Sequence, residues 1–218
     1  MPCSSFSHAV TIIGIAGGSV SGKTTLAKKL AEQFAGKVAV ISQDDYYKDV
    51  SQLSEDERKK CNFDEPDTID FTLLKSHLLA LKKGENIPRL EFSYTSFKSI
   101  ERGVIKSAPV VIVEGILLFA VEAIRSVCDF KIFVELDGDT RLARRLDYYQ
   151  KAYGYSLESL IPYYFSKVKP AHEKFIAPSK QYADIVVLSH KDTTAAEAML
   201  KAFIQNSIEG ASFTSKPD

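Results

Sequence analysis

Residues Gly17-Gly18-Ser19-Val20-Ser21-Gly22-Lys23-Thr24 are the stretch of this chain whose types and spacing most directly imply chemistry. Two glycines five apart are followed by a lysine and a hydroxyl residue, the spacing of a phosphate-cradling loop. Glycines let the backbone turn sharply and aim several N–H groups at phosphate oxygens. A helix beginning at the end of the loop adds its positive pole. In such a loop Lys23 reaches the β- and γ-phosphates and the Thr24 hydroxyl ligates Mg2+, with Thr25 closing the nucleotide-binding run. A flexible Gly/Ser turn would use the same residue types. The flanks argue for the phosphate site: the apolar run Val10–Ile15 precedes the loop and Leu26–Phe34 follows it, giving strand, loop and helix in the required order.

Acidic residues follow at two further points. Ser42-Gln43-Asp44-Asp45-Tyr46-Tyr47 ends a second apolar run. A carboxylate at the carboxyl end of a parallel strand lies beside the phosphate site. There it can accept the proton of an attacking hydroxyl or hold Mg2+ through water; the competing reading is an Asp pair in a solvated turn. Glu114 is the single charge of the run Val110–Glu114, and Gly115 behind it allows close approach. It suits a second carboxylate on the metal side, or else a capping or ion-paired glutamate.

Holding these groups together requires strands that end at one edge. Apolar runs occur at Val10–Ile15, Lys37–Ser42, Val110–Glu114, Phe130–Leu136 and Asp184–Leu188. Most are nearly continuous in apolar residues, as strands buried on both faces are. Helical patterns separate them at Lys23–Phe34, Phe71–Lys83, Thr140–Lys151 and Thr194–Ser207. Asp137 and Asp139 are candidate N-caps of the third, and Gly84 closes the second after Lys82-Lys83. The alternation predicts an α/β fold of the P-loop NTPase type, a parallel five-stranded sheet with helices on both faces. Residues 86–107 break the alternation and read as an inserted β-hairpin. One domain is expected over 1–209, with 210–218 a frayed Ser/Gly/Pro-rich tail.

Composition narrows the partners. The 218 residues carry 28 basic and 28 acidic side chains and no formal net charge, so a nucleic-acid surface is not expected. The apolar runs are far shorter than the roughly 20 residues of a membrane span. Met1–His8 lacks the features of a secretory signal. Cys3, Cys61 and Cys128 are widely spaced, with neither metal-ligand spacing nor a disulfide framework, and read as cytosolic thiols. The expected location is therefore the cytoplasm.

The chain resembles the uridine kinase (uridine/cytidine kinase) family of P-loop kinases. The segments that carry the resemblance are IIGIAGGSVSGKTT (12–25), ISQDDYYKD (41–49), NFDEPDTIDFTLL (62–74), VVIVEGILLF (110–119), KIFVELDGDTRLARRL (131–146) and VKPAHEKFIAPSKQYADIVV (168–187). Phosphoribulokinase and pantothenate kinase share the first but not the set. The resemblance implies transfer of a phosphoryl group from ATP (or GTP) with Mg2+ to a nucleoside 5′-hydroxyl. Asp44 then matches the general base, Asp64 the carboxylate that grips the ribose hydroxyls, and Phe63 and Phe92 the apolar pocket walls. Tyr46, Arg141 and Arg144 join this substrate-facing set. Arg145, with its neighbours, steadies the γ-phosphoryl group; Thr24, Glu114 and Asp44 lie on the metal side. Asp192 falls where the family places a residue near the adenine. A lid over 144–165 and a homo-oligomer, dimer or tetramer, built through the hairpin are also implied.

Two regions depart from the family. Its hairpin carries a Tyr-Asp-Phe and then a His that read the pyrimidine edge; here the run is Leu90-Glu91-Phe92-Ser93-Tyr94-Thr95. An apolar pocket discriminates by only about 10–200-fold per group, so base selectivity is expected to be looser or different, unless a shift in alignment puts Tyr94 in the missing role. Tyr148, Tyr153 and Tyr155 stand where lid arginines are expected, and Tyr163 where a substrate-side Gln is expected. An arginine at a phosphoryl-transfer transition state can be worth about 10³–10⁵ in rate, and a tyrosine brings no positive charge. The lid could be rebuilt from Arg141, Arg144, Arg145 and Lys151. Alternatively the tyrosines line a new acceptor pocket or simply pack, or the chain is a weakly active kinase, a non-catalytic nucleotide-binding pseudokinase or a kinase for another small hydroxyl substrate. His172 reads as structural.

Overall fold

The computed structural model describes residues 10–190 and 192–210. In chain order the elements are β1 (Thr11–Gly17), α1 (Lys23–Glu32), β2 (Val38–Ser42), α2 (Glu55–Lys60), α3 (Phe71–Lys82), β3 (Ile87–Ser93), β4 (Lys98–Ile105), β5 (Val110–Glu114), α4 (Glu122–Arg125), β6 (Phe130–Glu135), α5 (Gly138–Tyr153), α6 (Leu157–Tyr163), α7 (Lys169–Ala171), α8 (Ala177–Ser179), β7 (Ile185–Leu188) and α9 (Thr194–Ile208).

Five strands form one parallel sheet in the order β2-β5-β1-β6-β7. Period-two alternation divides their side chains between two cores. Ile12, Ala16, Val111 and Val113 face one side, where they meet Leu74, Leu78 and Leu81 of α3. Ile13, Ile15, Ile112 and Val134 face the other, against Leu26 and Leu30 of α1 and Leu200 and Ile204 of α9. Both faces of β5 are covered and Val110–Val113 are fully buried, which is why that strand is apolar without a break. Each such side chain contributes roughly 1.5–3 kcal/mol on burial.

The hairpin β3–β4 is a separate two-stranded antiparallel sheet. Ile87 and Phe92 fix it to the α3 side of the core. Gly84, at φ 84, ends α3 in the left-handed conformation that favours glycine, its N–H donating to the Leu81 carbonyl. Asp137 occupies the cap position of α5 but makes no side-chain cap bond, and Asp139 lies inside the first turn instead of capping it.

The sequence pattern gives no sign of α2, of α4 or of the helical path from Leu157 to Tyr182. That path carries Pro162, Pro170 and Pro178, and widens into π turns at Tyr164–Val168 and His172–Ile176. A proline cannot donate to the preceding turn and crowds its carbonyl; the wider turns after Pro162 and Pro170 keep the helix continuous. The segment before Val10, which includes Cys3, and the tail beyond Gly210 lie outside the described residues.

Because the strands run parallel, the carboxyl ends of β1, β2, β5 and β6 open on one edge. Gly17, Ser42, Glu114 and the start of α5 meet there, which is where an open α/β sheet binds ligands.

Candidate active site

The phosphate loop spans Gly17–Gly22 between β1 and α1. Gly17 has φ 147, and a Cβ there would stand 2.3 Å from the Val134 carbonyl oxygen of β6. The loop can lie this close to β6 only without a side chain at that position. Gly22 caps α1 at φ 102. Val20 holds φ 54, an unusual conformation for a β-branched residue and a local strain of the kind that collects at functional sites. Lys23 is buried, and its ammonium donates to the Gly18 carbonyl at 2.8 Å. Burial lowers its pKa, opposed by Glu114, Asp44 and Asp64.

Glu114 stands at the end of β5, in register with Ile15 of β1 and Ser42 of β2. One carboxylate oxygen, Oε1, accepts from the Thr24 hydroxyl at 3.0 Å and from the Ser42 hydroxyl at 3.1 Å. Gly115 admits the buried Gln43 side chain, whose Cβ lies 2.3 Å from where a Cβ of Gly115 would be, and Gln43 Oε1 accepts the Leu117 N–H. The close approach expected at Gly115 is thus made by protein.

The acidic pair divides its work. Ser42 caps the 3₁₀ turn Gln43–Tyr46 by accepting the Asp44 N–H. Asp45 turns to the hairpin: its carbonyl accepts from Ser99 Oγ at 2.8 Å, and its carboxyl, raised to about 6 mainly by burial, is held down in part by the Phe92 N–H. Asp44 opens onto the cleft. The surrounding protein raises its pKa to about 7, first by desolvation and then by the like charge of Glu114, with Lys23 opposing.

Asp64 is buried. Its N–H donates to Asn62 Oδ1, and its Oδ2 lies 4.0 Å from Arg145 Nη2. Burial raises the Asp64 pKa while Arg145 and Lys23 pull it down. Arg145 Nη1 also donates to Ser19 Oγ of the phosphate loop at 2.8 Å, so one guanidinium spans the loop and Asp64. Phe63 and Phe92 lie together, with ring centroids 6.4 Å apart and Tyr47 edge-on to both.

Four sequence expectations change. Tyr46 is turned away from the pocket: it is 2% exposed, and its hydroxyl shares a hydrogen bond with His77 Nδ1 at 2.9 Å. Tyr47, the extended residue after the 3₁₀ turn, points the other way, toward Phe63 and Phe92, its hydroxyl donating to the Phe63 carbonyl. Arg141 lies on the phosphate loop instead of the acceptor, its Cδ 2.8 Å from a Cβ built on Gly18 and its Nε donating to the Leu136 carbonyl. Arg144 lines a cavity of about 190 Å³ beside the loop, with Gly22, Leu26, Val187, Ser189 and Thr193. Thr25 also lines this cavity, whereas Asp192 is one residue outside its lining, its carboxylate accepting the Thr194 N–H at 3.0 Å. Asp44, Lys23, Glu114, Thr24, Asp64 and Arg145 do converge on one cleft. His172 is held neutral by burial, its pKa pushed down to about 4.

The sequence profile of the phosphoribulokinase / uridine kinase family matches residues 12–196. The chain belongs to that family. It is similar to a uridine kinase of Chlamydia pneumoniae, 40% identical over 202 residues that span 92% of this chain and 91% of that one. It is 43% identical over 178 residues to a uridine kinase of Halalkalibacterium halodurans, covering 81% of this chain and 84% of that one. The fold is also that of a phosphoribulokinase from Rhodobacter spheroides, with TM-score 0.66 at 14% identity over 84% of this chain and 71% of that one.

Within the family fold the lid is aromatic. Tyr148, Tyr149, Tyr153 and Tyr155 make a continuous set of ring contacts, with centroids 5.4 to 6.3 Å apart. Tyr94 of the hairpin joins it through Tyr153 at 6.4 Å and meets Phe92 at 5.2 Å. Leu90 packs toward the core. The tyrosines at the positions where lid arginines are expected are therefore continuous with Phe92 and Phe63, although Tyr148, Tyr153 and Tyr155 stay about half exposed. Tyr163, raised to about 12 mainly by burial and then by Asp64, stands near the same carboxylate. Ser42 and Tyr47 lie inside the segment 41–49 but carry no role in the resemblance, and Tyr149 lies in none of the matching segments; the neighbouring Asp44 and Arg145 are the signals that could have drawn attention to them.

Proposed function

We propose that this chain transfers the γ-phosphoryl group of ATP to the 5′-hydroxyl of a pyrimidine nucleoside, uridine or cytidine. The observation that carries the reading is the placement of Arg145 between Ser19 of the phosphate loop and Asp64, with Asp44 opening onto the same cleft. A donor loop, a base and a sugar-gripping carboxylate share one opening.

The loop N–H groups and Lys23 hold the triphosphate, phosphate oxygens competing with the Gly18 carbonyl for the ammonium. The Thr24 hydroxyl and the Glu114 and Asp44 carboxylates fit Mg2+: all are oxygens, and the like charges of Glu114 and Asp44 crowd each other. No group of three or more His, Cys, Asp or Glu side chains able to hold a metal ion is present among the described residues, so substrate phosphates and water would complete the shell. When bound, the cation supplies charge neutralisation at the transferring phosphoryl. Asp64 accepts from the ribose hydroxyls and sets the 5′-oxygen toward Asp44, which takes its proton. Arg145 balances charge as the phosphoryl passes. Positioning and charge compensation provide most of the rate. The cavity beside Gly22 and Thr193 suits the nucleotide base.

The same reading places the activity in one domain over 1–209, in the cytoplasm as part of pyrimidine salvage. Among the described residues, no helix is long and apolar enough to cross a membrane. A homo-oligomer through the hairpin is supported by β4, whose residues are mostly exposed and include Val104 at 60%, since a lone two-stranded sheet is marginal in water. ATP consumption measured over a panel of nucleosides, sugar phosphates and glycerate tests the reading. Turnover with uridine and cytidine is expected; turnover confined to a non-nucleoside acceptor sinks it.

A further inference from the structure

We infer that Tyr149 is the positioning residue for Arg145, a ring in cation–π contact that compensates for the missing lid arginines by fixing the guanidinium that still spans the cleft. The inference rests on the phosphoryl-transfer reading of Arg145 given above.

Arg145 and Tyr149 are four residues apart on α5, so their side chains share a face. The guanidinium carbon sits 4.6 Å from the Tyr149 ring centroid. The group is nearly buried, at 7% exposure. Its edges are occupied differently: Nη1 donates to Ser19 Oγ at 2.8 Å and Nη2 addresses Asp64 at 4.0 Å. A guanidinium donates only from its edges. A ring in cation–π contact holds it without accepting from those donors, whereas a second carboxylate would bind the edges that phosphoryl oxygens need. Tyr149 is itself supported by Tyr148 at 5.4 Å, Tyr153 at 5.5 Å and Tyr155 at 6.3 Å. The aromatic lid thus backs one ring, and that ring sets one cation between donor loop and acceptor carboxylate. The Tyr149 hydroxyl plays no part, and burial keeps it un-ionised.

The test is steady-state kinetics with ATP and uridine on the full chain and on Tyr149→Leu, Tyr149→Met, Tyr149→Phe, Arg145→Met and the Tyr149→Leu/Arg145→Met double variant. Removing the ring lowers kcat by about tenfold or more, the scale of a desolvated cation–π contact, with KM for ATP changed less than about twofold. Tyr149→Phe restores most of kcat, because the ring is what acts. In the Arg145→Met background the Leu substitution adds less than about twofold, since the two residues work as a unit. Wild-type kcat in Tyr149→Leu and Tyr149→Met, an equal loss in Tyr149→Phe, or an undiminished loss in the double variant overturns the inference. If the unsubstituted protein leaves uridine untouched, the nucleoside reading fails. The same proteins are then compared by calorimetry with Mg·ADP, with and without fluoroaluminate as the phosphoryl mimic. Tyr149→Leu should lose about tenfold of the gain that fluoroaluminate brings, and an unchanged gain overturns the role of Tyr149.

Discussion

Replacing Asp44 by Asn removes a charge and little volume, so its effects on chemistry and on folding separate cleanly. Asp44 faces the cleft, and its pKa is raised to about 7 by desolvation and by Glu114, near the value at which a general base is most effective at neutral pH. Loss of such a base costs about 10²–10⁴ in kcat. ATP affinity should persist, because Lys23 and the loop are untouched. Stability should move the other way. A carboxyl whose folded pKa lies above its unfolded value binds more protons in the folded state, so it destabilises increasingly as pH rises from about 4 to about 7. Asp44→Asn should therefore melt at or above the unsubstituted protein at about pH 8 and match it below about pH 4. The same ionisation predicts that kcat/KM rises with pH toward a plateau, with an apparent pKa at or below about 7 as cation and Lys23 favour the carboxylate. A coupled assay of nucleoside-dependent ATP consumption, with calorimetric ATP binding and melting curves, reads all three. A kcat within about threefold of the unsubstituted protein would remove Asp44 from proton transfer.

Other outcomes follow from single contacts. Gly17→Ala places a methyl 2.3 Å from the Val134 carbonyl at φ 147; it should abolish ATP binding by displacing the loop, read by nucleotide titration. Glu114→Gln keeps an acceptor for Thr24 and Ser42 but loses the charge. It should raise the Mg2+ concentration for half-maximal rate by about tenfold or more, the cost of a lost charged contact, with ADP binding in the absence of metal unchanged. Tyr148→Phe combined with Tyr153→Phe keeps the ring contacts with Tyr149 and removes only the hydroxyls; kcat should stay within about threefold of the unsubstituted protein, and a larger fall would show that the hydroxyls serve the acceptor themselves.

Much of the site was legible because its parts lie in contiguous motifs at strand ends. The loop at Gly17–Thr24, Asp44 and Glu114 follow β1, β2 and β5, and parallel strands bring those ends together whatever happens between them. What stayed hidden depends on rotation about an element. Tyr46 ends a 3₁₀ turn and Tyr47 follows it in an extended conformation, and the contact of Tyr46 with His77 decides which of the two faces Phe63 and Phe92. Arg141, Arg144 and Arg145 are close together on α5 yet lie against Gly18 of the phosphate loop, the cavity beside Gly22 and Asp64. The helical path through Pro162, Pro170 and Pro178 reads as broken, because a linear pattern does not show that π turns can absorb a proline. Tyr94, which shares no motif position with the family's pocket tyrosine, reaches Phe92 and Tyr153 from the neighbouring hairpin turn.

The central claim is tested most directly by following the γ-phosphoryl group itself. Incubation with γ-labelled ATP, Mg2+ and uridine should give label on the 5′-oxygen, as uridine 5′-monophosphate, in an amount equal to the ADP formed. Label released as free phosphate, or carried by any other hydroxyl of the nucleoside, would contradict the geometry assigned to Asp64 and Asp44.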